Sequence, residues 1–226
     1  MRRTRALVDR EVLPLEPHFL TQGLAAIRPA LQEAQARIRA AGLWAPNHPR
    51  QYGGQGVGLV THALISEALG RSPLGHVAFG CQAPDAGNIE LIHLYGSEAQ
   101  QREWLPRLVG GEARSCFAMT ERGNSGANPL MLETRAVLQG GEWVLDGRKW
   151  FTSGADGAAL CVVMAVTDPE AAPHQRASML LVPTDTPGFV RERNTPVMGH
   201  AGEGLFSHSE VRFEGCRVPQ ASLLGP

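Results

Sequence analysis

The sequence lacks the features that would tie it to a membrane, a nucleic acid or a metal. Across 226 residues there is no apolar run of about 18, so no segment reads as a membrane-spanning helix. The formal net charge is −1, without the basic surplus that a nucleic-acid surface requires. Lysine is almost missing: of 21 basic residues only Lys149 is a lysine. The four cysteines, Cys81, Cys116, Cys161 and Cys216, stand far apart with no C-x-x-C pair, which excludes a zinc ribbon and a redox dithiol. They read as reduced, mostly buried thiols, and hence as a reducing compartment such as bacterial cytoplasm or an organelle matrix. The eight histidines include no H-E-x-x-H, and His174, His200 and His208 are scattered, so no metal site is expected. Arg2, Arg3, Arg5 and Arg10 make a basic start, but Asp9 and Glu11 interrupt it and no apolar stretch follows, so no signal peptide is expected.

What is present is enough for a core. With 43% hydrophobic and 19% charged residues, the chain fits one large domain or two small ones at roughly 150 residues each. Its texture changes near residue 115. Before that point helical signals dominate. Pro29 suits a first helical position, and Leu31, Ala34, Ile38 and Ala41 follow at helical spacing until Gly42. Pro46 to Gly58 reads as loop. Further helices are expected over Val60–Leu69, over Asp85–Tyr95 with Gly96 as its stop, and from Ser97 to just before Gly110. Ser97 and Gln100 form a capping box at the start of the last one.

After Cys116 the pattern becomes strand-like. Trp143 to Trp150 reads as two short runs around Asp146-Gly147, a hairpin signal. Leu160–Val166 and Ser178–Val182 are apolar runs of buried-strand length, and Val211 and Phe213 alternate with charged residues. The expected fold class is α+β: an all-helical domain over residues 1–115, then an antiparallel β-barrel or sandwich over residues 116–226.

Two segments could carry chemistry. Phe117 to Asn128 runs from a strand into a Gly/Asn/Ser-rich loop whose backbone amides could face an anion or a carbonyl oxygen. Within it Gly123-Asn-Ser125-Gly-Ala127 faintly resembles a nucleophile elbow, but Pro129 hinders the helix that such a serine needs. In Trp150-Phe-Thr152-Ser153-Gly154, strand alternation puts Trp150 and Thr152 on one face and Phe151 on the other. An indole beside a hydroxyl could stack on a planar heterocycle and bond its edge. Gly53-Gly54-Gln-Gly56-Val-Gly58 lacks the strand and the Lys-Ser/Thr of a phosphate loop.

These segments, in this order, resemble the acyl-CoA dehydrogenase family. The matching pieces are Gln51-Tyr-Gly-Gly-Gln-Gly56, Cys81-Gln-Ala-Pro-Asp85-Ala-Gly-Asn88 and Tyr95-Gly-Ser-Glu98, then Gly111-Glu112 and Phe117-Ala-Met-Thr-Glu121. They continue through Asp146-Gly-Arg-Lys-Trp150 and Val211-Arg-Phe213 to Val218-Pro219 and Leu224-Gly225. Gln82-Ala-Pro-Asp85 points to a family-eleven-like branch. The resemblance implies FAD, acyl-CoA substrates oxidised to trans-2-enoyl-CoA in fatty acid β-oxidation, and electrons passed to an electron-transferring flavoprotein. It also implies a homo-oligomer when full length, with a C-terminal four-helix bundle that this chain lacks.

By that resemblance Phe117, Met119 and Thr120 line the flavin, Trp150 packs on its ring, and Thr152 bonds near N5 with Ser153 beside it. The family serine that holds the pyrophosphate is replaced by Ala127, with Ser125 as a substitute, and Ser125 and Gly126 would also meet the substrate. Arg122 stands where the family has proline. The family's catalytic base belongs to the bundle, so no catalytic residue is nominated, and the alternative is a catalytically silent acyl-CoA- and flavin-binding subunit. Without the bundle, Leu31, Ile38 and Leu64 are expected to be partly uncovered.

Overall fold

A computed structural model describes residues 1–124 and 128–225. The chain divides into two compact units, one of Met1–His93 with Glu103–Glu112, the other of Leu94–Arg102 with Ala113 onward.

The first unit is helical. It contains α1 (Arg2–Leu7), α2 (Glu16–Gln22), α3 (Leu24–Ala40), α4 (Leu59–Leu69), α5 (Gly75–Ala78), most of α6 (Asp85–Tyr95) and the later turns of α7 (Glu98–Gly110). On α3, Leu24, Ile27, Leu31, Ala34 and Ile38 recur every three or four residues and are all buried. Full burial of each larger side chain contributes about 1.5–3 kcal/mol. This apolar stripe outweighs the proline: α3 begins after Gly23, so Pro29 lies inside the helix and not at its first position. Leu31 and Ile38 are 5% and 0% exposed, contrary to expectation, because the helical unit covers them itself. Leu64 is 47% exposed, on the same helix as the exposed Leu59 and Val60. Trp44 donates from Nε1 to the Val109 carbonyl at 2.8 Å, and the Arg39 guanidinium lies 3.4 Å over its ring.

α7 opens with the expected reciprocal cap. The Ser97 N–H donates to Gln100 Oε1 at 2.9 Å, and the Gln100 N–H to Ser97 Oγ at 3.3 Å. The Gln100 side chain also donates to the carbonyls of Ala221 and Leu223.

The second unit is an eight-stranded, mostly antiparallel sheet. Its strands are β1 (Ser115–Ala118), β2 (Arg135–Gln139), β3 (Glu142–Ser153), β4 (Leu160–Val166), β5 (Ala177–Pro183), β6 (Phe189–Asn194), β7 (His208–Pro219) and β8 (Leu223–Leu224). The main path runs β6-β7-β3-β2-β4-β5-β8, and β1 lies parallel to β4 with Cys116 opposite Cys161. Alternate residues of six strands meet in one core that includes Cys116, Ala118, Leu145, Val163, Leu180, Val211 and Phe213. We call the face carrying these residues the inner face. All four cysteines are free and buried, and burial pushes the Cys81 thiol up to about 12 and Cys216 to about 11.

The expected hairpin at Asp146-Gly147 is not a turn. β3 runs unbroken through it, and the register against β7 shifts between Leu145 and Gly147, a bulge. Asp146 Oδ1 accepts the Gly215 N–H at 2.7 Å. The turn comes earlier, at Gly140-Gly141, where both residues have positive φ (62° and 85°), as a two-residue primed turn requires. Gly147 is confined by its neighbours: φ is 151°, and an added Cβ would stand 2.5–2.7 Å from Thr134. Gly147→Ala should therefore lower stability by about 1–3 kcal/mol in urea unfolding. An unchanged midpoint and slope would show that the bulge is not constrained as described.

Candidate functional site at the junction of β1 and β3

Lys149 organises the junction. It is wholly buried, and its Nζ donates to Glu121 Oε1 at 2.8 Å and to the Met119 carbonyl at 2.9 Å. Glu121 in turn accepts the backbone N–H groups of Glu133 at 2.7 Å and Thr134 at 2.9 Å, and the Asn124 side chain at 3.2 Å. One ion pair thus joins the exit of β1, the entry to β2 and the middle of β3. Burial by itself would raise the Glu121 carboxyl, but the Lys149 ammonium and the donors from Thr134 and Glu133 hold it down at about 2. Burial pushes the Lys149 ammonium below its ordinary value, against the pull of Glu121.

The next residues depart from simple alternation. Lys149 is paired with Val211 but Thr152 with Ser209, so β3 carries one extra residue between them. The strain is at Phe151, whose φ is +53°. Two consequences follow. Thr152 falls on the inner face with Lys149 and Val211, 0% exposed, and its hydroxyl has no hydrogen-bond partner. Trp150 and Phe151 lie together, with ring centroids 4.3 Å apart, and Phe151 stands edge-on to His208 at 6.4 Å. The expected shared face of Trp150 and Thr152 is therefore corrected: the bulge breaks the period of two, and Trp150 groups with Phe151 instead.

On the outer face the pieces converge. The Trp150 N–H donates to the Thr120 carbonyl at 2.7 Å, and its Nε1 donates to Thr195 Oγ1 at 3.0 Å. Arg122 lies 6.0 Å over the Trp150 ring and 3.7 Å from Glu210, which also accepts from Arg193 at 3.0 Å. Ser153 is opposite His208, with Oγ and Nδ1 2.8 Å apart. Phe117 is half-buried, between the inner-face residues Cys116 and Ala118, so it too points outward. Met119 and Thr120 line a shallow recess with Glu121, Asn124, Asn128, Met131 and Leu132, whose volume of about 10 Å³ is room for no more than about one water. Ser125 and Gly126, with Ala127, lie outside the described residues. Beyond them Asn128 caps a short 3-10 turn, Pro129–Met131.

The structure thus brings Phe117, Thr120, Trp150 and Ser153 to one region of the sheet and turns Thr152 away. Sequence reasoning missed Lys149, Glu121, Phe151 and His208. Lys149 carried a signal, since a lone lysine among arginines marks a position where a compact ammonium is wanted.

Comparison with known proteins identifies the family. The family model for the acyl-CoA dehydrogenase N-terminal domain matches residues 1–112, and that for the middle domain matches residues 116–216. Acyl-CoA dehydrogenase family member 10 of Mus musculus is 38% identical over 231 residues, covering 97% of this chain and 22% of that protein. Family member 11 of Mus musculus is 36% identical over 197 residues, covering 86% of this chain and 25% of that protein. An acyl-CoA dehydrogenase structure from Geobacillus kaustophilus superposes with a TM-score of 0.80 at 29% identity, over all of this chain and 57% of that one. A solved structure from Mycobacterium abscessus reaches a TM-score of 0.91 at 36% identity, over all of this chain and 59% of that one. The chain belongs to the acyl-CoA dehydrogenase family, with members 10 and 11 among its relatives. It spans less than two thirds of the length of the relatives and solved structures named here.

The ion pair sets a pH dependence. The native Glu121 carboxyl titrates at about 2, below its unfolded value of about 4.3, so its contribution is fully present above the unfolded value and is lost as pH falls towards 2. Glu121→Gln should cost about 3–5 kcal/mol, because it leaves Lys149 buried and charged without its counter-ion. The variant should also lose part of the acid-induced fall in stability. Urea unfolding from pH 7 to pH 2 checks both, and parallel curves for the two proteins would contradict the assignment.

Proposed function

We propose that this chain is the flavin-binding part of an FAD-dependent acyl-CoA dehydrogenase, which removes hydrogens from the α and β carbons of acyl-CoA thioesters. The outer face of the β1–β3 junction supports this reading most directly. There Phe117, Trp150 and Phe151 offer apolar and aromatic surface, and Ser153 offers a hydroxyl beside it. A planar heterocycle needs such a face: rings to pack on and a fixed hydrogen-bonding group at its edge. The donor set fits a flavin.

When bound, FAD accepts the hydride. The chain's own residues bind and orient it. Trp150 and Phe151 supply packing; the Trp150 backbone N–H donates to the Thr120 carbonyl, and its indole is held by the bond to Thr195. On the family resemblance, the loop after β1 would serve the phosphates, with Ser125 and Gly126 as the candidates for contact with the substrate. On this reading the helical domain spans residues 1–115 and the β domain residues 116–226. The implied partners are acyl-CoA, an electron-transferring flavoprotein and further copies of the same chain. Among the described residues no helix is long and apolar enough to cross a membrane.

The test is the flavin itself. The purified protein should carry FAD, seen in its visible absorbance, and form enoyl-CoA from acyl-CoA with a dye acceptor when a bundle supplies the base. Trp150→Ala should weaken FAD binding by roughly tenfold, as expected for one lost aromatic contact of ~1.4 kcal/mol. Failure of the unsubstituted protein to bind FAD would overturn the proposal.

A further inference from the structure

The helical unit holds a group of histidines that the flavin-binding reading does not use. His48 lies in the loop between α3 and α4 and is 1% exposed. Its Nε2 has no hydrogen-bond partner, and its ring bonds to the backbone of Gly80, just beyond α5. The loop encloses it closely: the Gly56 N–H donates to the His48 carbonyl at 2.9 Å, and a Cβ added at Gly54 would stand 2.2 Å from that oxygen. His62 on α4 is half-buried with an unpartnered Nδ1, and its charge acts on both His48 and His76. His76 on α5 is half-buried, with Nε2 3.1 Å from Ser66 Oγ on α4.

The acids on the surrounding elements are committed elsewhere. α5 packs on α3, α4 and the turn Val8–Val12, and α4 packs on α1. On these elements Asp9 is held by Arg71, Glu11 by Arg10 and Arg37, Glu33 by Arg37, and Glu67 by Arg5. The other charged groups of α1 and α3, Arg2, Arg3, Arg28 and Arg39, are cations. In the loop itself Arg50 lies beside Gly56, and Tyr52 meets His93 of α6 edge-on at 6.3 Å. Cys81, whose N–H donates to the His76 carbonyl, stays a neutral thiol, and Asp85 accepts from Gln82.

We propose that His48, His62 and His76 make the helical unit an acid-sensitive conformational device, which opens under mildly acidic conditions that leave the β unit folded. A proton on His48 puts an unpaired charge inside the unit, and protons on His62 and His76 add like charges beside it. Burial, opposed by the Gly80 bond and helped by His62, pushes His48 down to about 4; burial and His62 push His76 below its ordinary value. The unfolded chain therefore takes up protons that the folded unit refuses. This contribution to stability is fully present above the unfolded value of about 6.5, falls as pH drops towards 4, and changes no further below it. The ion pair of the β unit, with Glu121 titrating at about 2, gives way only in stronger acid.

The test is amide hydrogen exchange of the whole chain, read by mass spectrometry and corrected for the intrinsic pH dependence of exchange. Between pH 7.5 and pH 5 the protection of α3, α4 and α5 should fall roughly thirtyfold, the factor that His48 alone sets with a folded value of about 4. Protection of β3 and β7 should hold. His76→Gln, which keeps a hydrogen-bonding group towards Ser66, should reduce the fall, and His48→Gln should reduce it further. Should His48→Gln fail to fold, the unsubstituted chain and His76→Gln decide the matter. Unchanged protection of the helices, an equal loss in both units, or the same fall in His76→Gln as in the unsubstituted chain would overturn the inference. None of these outcomes depends on bound flavin.

Discussion

The β unit depends on one buried ion pair. Lys149 and Glu121 connect three chain segments that are remote in sequence: the exit of β1, the entry of β2 and the centre of β3. A buried pair of this kind contributes little net stability, since the desolvation of two charges offsets most of their attraction. Its role is to specify an arrangement. An ammonium that must reach Glu121 fixes Lys149 on the inner face, and with it the phase of every residue that follows in the strand. A fully apolar residue at the same position could tolerate a slip of register. Lys149 cannot, because an unpaired charge in the core would cost several kcal/mol.

From that fixed point the outer face is determined by a single extra residue. Val211 opposes Lys149 and Ser209 opposes Thr152, so the bulge between them places Trp150 and Phe151 side by side and returns Thr152 to the interior. The backbone strain at Phe151, with φ at +53°, accompanies this reversal. Strain of that kind is held in place by surrounding structure. Here the supports are identifiable: the Trp150 N–H on the Thr120 carbonyl on one side, and the Ser153–His208 bond on the other. The Arg122–Glu210–Arg193 cluster and the ring of Trp150 lie on this same face. Arg122 is thus accommodated by a carboxylate on β7.

The helical half was legible because its signals are local. Asp85–Tyr95 is bounded where Gly96 predicts, and the Ser97–Gln100 box forms as its spacing demands. Pro29 misled because a proline is read as a helix start, whereas the buried stripe from Leu24 to Ile38 extends the helix through it. In the β half the presence and approximate limits of the strands were readable from apolar runs. Their irregularities were not. Asp-Gly is a turn signal in isolation, but Gly147 is needed for its closeness to Thr134, and the real turn lies at Gly140-Gly141. The pairing of Trp150 with Thr152 failed for a similar reason. Alternation assumes a regular ladder, and a bulge depends on pairing with β7, some sixty residues away in sequence. The resemblance to the family brought attention to this segment; the local geometry decides which of its residues faces out.

The central claim is that the Lys149–Glu121 ion pair fixes the register of β3 against β7. A crystal structure of the Lys149→Met variant tests it most directly. The account predicts that β3 slips against β7 or loses its extra residue between positions 149 and 152. Position 149 still opposite Val211 and Thr152 still opposite Ser209 would contradict the account.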